Sequence, residues 1–117
     1  MTREFVTMPE FDRQWQNLGL GDDELRQLQE ILLENPKAGK VIRGTKGLRK
    51  MRIAFEGQGK SGSGRVAYVD FTDYEKVYLI TAYPKSEKDN LSQAERNAIA
   101  KAILRLEQGL KGQENIK

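Results

Sequence analysis

Apolar residues recur with a helical period in two segments of the chain. In residues 22–34, Leu25, Leu28 and Ile31 lie three positions apart, and Leu32 lies four positions after Leu28. Acidic residues fill the first turn, where they favour the positive end of the helix dipole, and Asn35-Pro36 follows the last turn. This pattern predicts an amphipathic helix over residues 22–34.

The second helical segment begins at Ser92. Glu95 stands three residues later, which is the spacing of a capping box, and an apolar stripe follows at Ile99, Ala102, Ile103, Leu106 and Leu110. We expect Gly109 or Gly112 to end this helix, because glycine is a common residue just past a helix. The tail from about residue 111 is expected to be flexible.

Between these helices the apolar period changes to two. Met51, Ile53 and Phe55 alternate with Lys50, Arg52 and Ala54, which predicts a half-buried strand with a basic outer face. Four glycines between residues 57 and 64 predict a loop, and residues 66–71 and 77–83 predict two further strands. The three strands should form an antiparallel meander.

The N-terminal segment is less regular. Residues 2–7 alternate weakly, as an edge strand would, and Phe11, Trp15 and Leu18 fit one face of a short helix. We therefore predict a single domain over residues 1–117, because the chain is long enough for one core and too short for two. Its expected class is α+β, with a small twisted, mainly antiparallel sheet of about four strands packed by helices.

The composition excludes several kinds of site. The 117 residues include no histidine and no cysteine, so disulfides, thiolate metal sites and histidine-based triads are excluded, and we expect no metal and no cofactor. No apolar run approaches the roughly 18 to 20 residues of a membrane span. The N-terminus has acids where a secretory signal has bases, and a cytoplasmic protein without membrane contact is expected.

Charge is concentrated in the middle of the chain. Residues 1–36 have three basic and eight acidic side chains, residues 37–65 have nine basic and one acidic, and the remainder has eight of each. A solvated surface is the simplest interpretation of such a run. Here the bases alternate with glycines and strand residues instead of lying beside acids on a helix, which favours a surface that binds phosphate.

The residues of this basic segment suggest chemistry on RNA. If the three strands are neighbours, Arg49 or Arg52, Lys60, Arg65, Tyr83 and Lys85 can converge on one side of the sheet. An RNA phosphodiester can be cleaved by its own 2′-OH if one group takes the proton, one stabilises the charge on phosphorus and one helps the 5′-oxygen to leave. Arginine is suited to stabilise the charge on phosphorus, because its planar guanidinium binds phosphate oxygens and stays ionised. A lysine crowded by cations, such as Lys60, Lys85 or Lys88, can become a usable base.

Two segments strongly resemble the RelE/ParE superfamily of bacterial toxins, and most closely its RelE/HigB-like branch. They are NPKAGKVIRGTKGLRKMRIAFEGQGKSGSGRVAYVDF (35–71) and VYLITAYPKSEKDNLSQAE (77–95), followed by the capped helix. The resemblance implies a toxin of a type II toxin–antitoxin system that enters the ribosomal A site and cleaves mRNA beside the 16S ribosomal RNA, an mRNA interferase. It also implies an antitoxin, commonly with a helix-turn-helix domain, through which the pair binds its operator DNA.

The resemblance also assigns site residues. Arg65 matches the arginine that stabilises the phosphate, Lys60 the basic loop residue, Tyr83 the aromatic near the end of the last strand, and Lys85 and Lys88 the basic positions of the following turn. Arg65, Lys60, Tyr83 and Lys85 are thus the expected catalytic residues. The expected RNA-binding residues are Arg49, Lys50, Arg52, Lys46 and Lys88, and the strand register decides whether Arg49 or Arg52 faces the site. A histidine found in some relatives has no counterpart, so the identity of the general base stays open.

Two other functions remain open. A gyrase inhibitor of the ParE type has the same fold, but such proteins usually begin with a longer helical hairpin and lack the basic glycine loop and the Tyr-Pro-Lys turn. A non-catalytic module that binds RNA or antitoxin would bind ribosomes through phosphate contacts and leave the message intact.

Overall fold

The computed structural model describes residues 2–54, 64–84 and 91–114. Three helices and five strands follow one another along these ranges. In chain order they are β1 (Glu4–Thr7), α1 (Pro9–Asn17), α2 (Asp22–Glu34), β2 (Lys40–Val41), β3 (Arg49–Ile53), β4 (Gly64–Phe71), β5 (Lys76–Pro84) and α3 (Gln93–Glu114), with a 3₁₀ turn at Thr72–Tyr74 between β4 and β5.

The strands form one mixed sheet in the order β1-β5-β4-β3-β2. The strands β2 to β5 pair antiparallel with their neighbours, whereas β1 pairs parallel with β5 along the edge. The predicted α+β class, the antiparallel meander and the N-terminal edge strand are confirmed. The sheet has five strands where about four were expected, because the two residues of β2 are too few to show a period of two.

Helices cover both faces of the sheet. On one face, Phe11 and Trp15 of α1 stack with ring centroids 5.1 Å apart, as the predicted short helix allows. They join the α1/α2 core, whose buried residues are Phe11, Trp15, Leu20, Leu28, Leu32, Ile53, Val66, Tyr68, Val77, Leu79 and Ala82. On the other face lies the α3 core, with Leu48, Ala67, Val69, Phe71, Ile103 and Leu110 buried. No helix in the described ranges is long and apolar enough to cross a membrane.

Both predicted ends of α2 and the predicted start of α3 are confirmed, and the predicted end of α3 is not. The helix α2 occupies residues 22–34 as predicted. Before α3, the Ser92 backbone N–H donates to the Glu95 carboxylate (2.8 Å) and the Glu95 backbone N–H donates to the Ser92 hydroxyl (3.1 Å), so the predicted capping box is confirmed. The predicted glycine stop is wrong, since α3 continues through Gly109 and Gly112 to Glu114. Burial of Leu110 in the α3 core favours helix beyond Gly109.

An ion pair fixes the start of the chain to the centre of the sheet. The Arg3 guanidinium, just before β1, donates from Nε to Oδ1 of Asp70 (2.8 Å) and from Nη2 to Oδ2 (3.4 Å). Asp70 belongs to β4, so this contact reaches across the intervening strand β5. The two side chains are 7% and 2% exposed, and each charge is therefore compensated mainly by the other.

Candidate nucleic-acid interface

The register of the sheet aligns three predicted site residues in one row. Arg52 of β3 lies directly opposite Arg65 of β4, and Arg65 lies directly opposite Tyr83 of β5. Residues directly opposite each other on antiparallel strands share a face of the sheet. We call these three residues the arginine row. It brings together two of the four expected catalytic residues and one of the expected RNA-binding residues.

A second row lies two residues along the strands, on the same face. Lys40 of β2 is opposite Lys50 of β3, Lys50 is opposite Ala67 of β4, and Ala67 is opposite Thr81 of β5. We call this set the lysine row. Ala67 packs in the α3 core, so both rows lie on the face of the sheet that α3 partly covers. We call the four cations Lys40, Lys50, Arg52 and Arg65 the basic face.

A bulge in β5 is what brings Tyr83 to this face. The partners of Ala67 and of the next residue, Tyr68, are Thr81 and Leu79, so Ile80 is an extra residue in β5. Ile80 packs against the α3 core and Ala82 is buried in the α1/α2 core. Strict alternation from Ile80 would have placed Ala82 on the α3 side and Tyr83 on the opposite side. The bulge reverses this order, as bulges commonly do beside functional sites.

The four cations line one groove. Its volume is about 440 Å³, and the described residues around it are Ala38, Lys40, Lys50, Met51, Arg52 and Arg65. None of these six is acidic. Lys40 and Arg52 are exposed, while Lys50 and Arg65 are half-buried, which leaves the groove open to a large ligand. A groove lined by one sign of charge concentrates ligands of the opposite sign, and arginine and lysine are both common ligands of phosphate.

An apolar pocket lies further along the same face. It measures about 270 Å³ and its apolar walls include Leu48, Leu91 and Ile99. Two polar residues of α1 also line it, namely Glu10 and Gln14. Tyr83 lines this pocket and is half-buried. The aromatic end of the arginine row therefore adjoins an apolar surface. Phosphate contacts on one side and an aromatic ring on the other suit an unstacked nucleotide.

Two of the expected RNA-binding residues lie elsewhere. Arg49 is opposite Tyr68, on the α1/α2 side, and its Nη1 donates to the carbonyls of Gly39 (2.7 Å) and Lys37 (3.4 Å). The register thus selects Arg52 as the residue on the Arg65 side. Lys46 lies in the turn before β3 with φ of 64°, where it lines a different groove together with Asp70, Asp73 and Glu107. Lys60, Lys85 and Lys88 lie outside the described residues.

A buried tyrosine on the opposite face of the sheet holds residues 36–39, the segment that leads into Lys40 of the lysine row. The Tyr68 hydroxyl accepts a hydrogen bond from the Gly39 N–H (2.8 Å) and donates one to the Pro36 carbonyl (2.9 Å). A Cβ at Gly39 would lie 2.9 Å from both a Tyr68 ring carbon and the Lys50 carbonyl oxygen, so only glycine fits there. We call Tyr68, Arg49 and Gly39 the loop clamp, because they hold residues 36–39 on the sheet.

The environment of Tyr68 also changes its acidity. Burial raises the pKa of the Tyr68 hydroxyl, an effect that the hydrogen bond from Gly39 and the charge of Arg49 partly oppose and the carboxylate of Asp70 reinforces. A phenol with a raised pKa stays protonated at neutral pH, so it keeps the proton that it donates to Pro36. Sequence reasoning missed this clamp, because nothing in the chain pairs Tyr68 with a loop 29 residues earlier.

Comparison with known proteins identifies the family. The family model described as the RelE toxin of the RelE/RelB toxin–antitoxin system matches residues 7–113. The chain belongs to the RelE family of toxins. As a member of this family it is the toxin of a toxin–antitoxin pair, and its partner is an antitoxin.

Solved structures of a RelE toxin have the same fold. A double mutant of the E. coli toxin RelE in the free state is similar with a TM-score of 0.54 and 17% identity, over 89% of this chain and 99% of that one. The isolated E. coli RelE toxin in a P21 crystal form is similar with a TM-score of 0.53 and 16% identity, over 90% of this chain and 99% of that one. This RelE-family toxin therefore matches those proteins along nearly their whole length.

Proposed function

We propose that this RelE-family toxin is a ribosome-dependent endoribonuclease that cleaves mRNA in the ribosomal A site and so inhibits translation. The arginine row is the observation that carries this proposal. It places two guanidinium groups and a phenol side by side on a basic face that has room for an RNA strand. Membership of the family supports the same function.

The reaction proposed for this site is attack by the RNA on itself. The 2′-oxygen forms a bond to the neighbouring phosphorus, its proton passes to a base of the protein, and the bond from phosphorus to the 5′-oxygen breaks as that oxygen gains a proton. Negative charge grows on the phosphorus oxygens during the step. The planar guanidinium of Arg65, beside that of Arg52, is suited to stabilise this charge because it stays ionised and can make two parallel hydrogen bonds.

The remaining roles are assigned to the other predicted site residues. Tyr83 orients the sugar or stacks on a base, since its ring borders the apolar pocket. Lys60 and Lys85 share the proton transfers, and Lys50 and Lys88 add contacts to RNA. Binding on the ribosome supplies the alignment of the 2′-oxygen with phosphorus, which by itself contributes much of the rate in reactions of this type.

Regulation is proposed to follow the family pattern. The antitoxin would have a helix-turn-helix DNA-binding domain, and the pair would reach its operator DNA only through that domain. The acidic outer surface of α2 lies on the far side of the sheet from the basic face, so an antitoxin bound at α2 would act from a distance. An antitoxin bound at the basic face would instead block RNA directly.

Primer extension on mRNA in a purified translation system tests the proposal. We expect cuts that require ribosomes and lie in A-site codons. Arg65→Ala should slow cleavage by about 10²- to 10³-fold, the usual effect of removing one donor to a developing charge. Arg65→Lys keeps the charge without the fork, so it should retain more activity than Arg65→Ala. The control variant is Arg26→Ala, which lacks an exposed arginine of α2. It should cleave the message at the same rate as the parent.

The other outcomes are equally informative. Intact message together with DNA double-strand breaks would replace the proposal by gyrase inhibition. Intact message with salt-dependent ribosome binding would indicate a non-catalytic module. Full activity of a folded Arg65→Ala variant would show that Arg65 does not have the proposed role.

A further inference from the structure

We propose that Lys40, together with Lys50, binds a second phosphate of the same RNA strand, next to the phosphate held by the arginine row. This inference rests on the proposed function and adds a residue to its site. Lys40 belongs to β2, a two-residue strand that the alternation of apolar residues did not predict. Its position follows from the register of the sheet.

Lys40 and Lys50 bring two like charges together across β2 and β3. The two residues are directly opposite each other on antiparallel strands, which places their Cβ atoms about 4.5–5.5 Å apart on the same face. Like charges in this position destabilise a strand pair. An anion bound between the two ammonium groups removes that repulsion, so the arrangement favours a phosphate at this point.

The backbone that carries Lys40 is held from the opposite face of the sheet. Tyr68 binds both Pro36 and Gly39, and Arg49 binds the carbonyls of Lys37 and Gly39. These contacts fix the four residues immediately before Lys40, although β2 is short and lies at the edge. An exposed lysine on a fixed backbone loses less entropy on binding than one on a mobile loop.

The geometry favours a chain of phosphates over a single anion. The lysine row and the arginine row lie two residues apart along the strands, which is about 7 Å at the rise of an antiparallel strand. Both rows border the same groove of about 440 Å³. A polymer with regularly spaced phosphates can contact the two rows at once, whereas one small anion can occupy only one of them.

Binding to programmed ribosomes tests the inference in the full-length toxin. The mRNA should be fully 2′-O-methylated, because it then lacks the attacking hydroxyl and binding is measured without cleavage. We expect Lys40→Gln to weaken binding about five- to eightfold at ~0.1 M salt and to reduce the slope of log K against log salt by about one. Lys101→Gln, which removes an exposed lysine of α3, should bind like the parent.

Melting temperatures separate a binding role from a structural one. Since Lys40→Gln removes a like-charge pair, its melting temperature should equal or exceed that of the parent. Weaker binding together with a lower melting temperature would overturn the inference, because Lys40 would then support the strand.

Binding equal to that of Lys101→Gln would also overturn it, while cleavage by the parent would leave the proposed function intact. If Lys40→Gln impaired only antitoxin binding, the surface would belong to the antitoxin and the inference would fall. If the parent neither cleaved message nor bound programmed ribosomes, both proposals would be wrong.

Discussion

Tyr68 shows how one side chain can connect the two faces of the sheet. Its ring is fully buried in the α1/α2 core, and its hydroxyl lies between the Gly39 N–H and the Pro36 carbonyl. Both backbone groups would otherwise be buried without a partner among the described residues. The same contacts fix the chain just before Lys40, which lies on the opposite face. A core residue therefore determines where a surface cation stands.

Removing this hydroxyl should be costly. We expect Tyr68→Phe to lower the free energy of unfolding by about 1–3 kcal/mol, because two buried backbone groups lose their hydrogen bonds while the ring is retained. Urea denaturation measures the change. Tyr78→Phe is a suitable control, since the ring of Tyr78 packs edge-on against Phe71, a contact that the substitution keeps. Equal stability of the two variants would contradict the loop clamp.

The same variant should alter the alkaline pH profile. The pKa of Tyr68 is higher in the folded protein than its ordinary value of about 10. Its contribution to stability is therefore complete below that value and is lost as pH rises through the folded pKa. Tyr68→Phe should accordingly lose less stability above pH ~10 than the parent loses, and a parallel profile would contradict this assignment.

At the residue scale, the sequence alone predicts which cations lie on a common face only where alternation is regular. Lys50 and Arg52 were expected on the outer face of β3, and the register places both on the same face of the sheet as Arg65. Tyr83 was not predictable in this way, because the bulge at Ile80 reverses the alternation of β5. A bulge depends on the pairing of two strands, and no residue of β5 alone indicates it.

The helix α3 illustrates the balance between local preference and packing. Its start was predictable because the capping box is a local contact between Ser92 and Glu95. Its end was not, because two glycines suggest a stop but Leu110 packs into the α3 core. Packing over a long helix outweighs the roughly 1 kcal/mol that each interior glycine costs relative to alanine.

Gly109 is therefore a site where the toxin can be stabilised. A Cβ at this position would meet no atom within 4 Å, and the residue is exposed in the helix. We expect Gly109→Ala to raise the free energy of unfolding by about 0.5–1 kcal/mol through the reduced entropy of the unfolded chain. Chemical denaturation checks the result.

Replacing Gly39 by alanine provides a control in which the stability should change in the opposite direction. There the new Cβ would lie 2.9 Å from the Lys50 carbonyl oxygen and from the Tyr68 ring, so Gly39→Ala should destabilise the protein. If Gly109→Ala lowered stability, the helix would not continue past that residue as described.

At the scale of the whole molecule, the Arg3–Asp70 pair joins the beginning of the chain to its centre. We expect Arg3→Met to lower the free energy of unfolding by about 3–5 kcal/mol, because it leaves the carboxylate of Asp70 buried without its cation. Thermal or urea denaturation measures the loss. The double variant Arg3→Met/Asp70→Leu should recover most of it, since neither charge is then buried alone.

An exposed ion pair between β1 and β5 provides the comparison. Lys76 Nζ contacts Glu4 Oε1 at 2.6 Å, but the Glu4 side chain is 67% exposed. Glu4→Gln should therefore change the free energy of unfolding by less than ~1 kcal/mol. If Arg3→Met cost no more than Glu4→Gln, the buried pair would not be what anchors β1.

The overall architecture was predictable from the sequence to the extent that it depends on neighbours in the chain. The meander β3-β4-β5, the helix α2 and the concentration of cations in the middle third all follow from local patterns. The parallel pairing of β1 with β5 and the contact of Arg3 with Asp70 join residues about 70 positions apart. No periodicity within either segment encodes such a partner.

The parallel pairing of β1 with β5 has a consequence for the order in which the sheet assembles during synthesis of the chain. The first strand to be made finds its partner only after Lys76–Leu79 has been translated, and the arginine row is complete only with Tyr83. Chains emerge from their N-terminus, and a pairing of distant segments must wait for the later one. For most of its elongation, the nascent toxin therefore has arginines but no assembled row. The arginine row is therefore a late product of translation, formed only when distant parts of the chain have met.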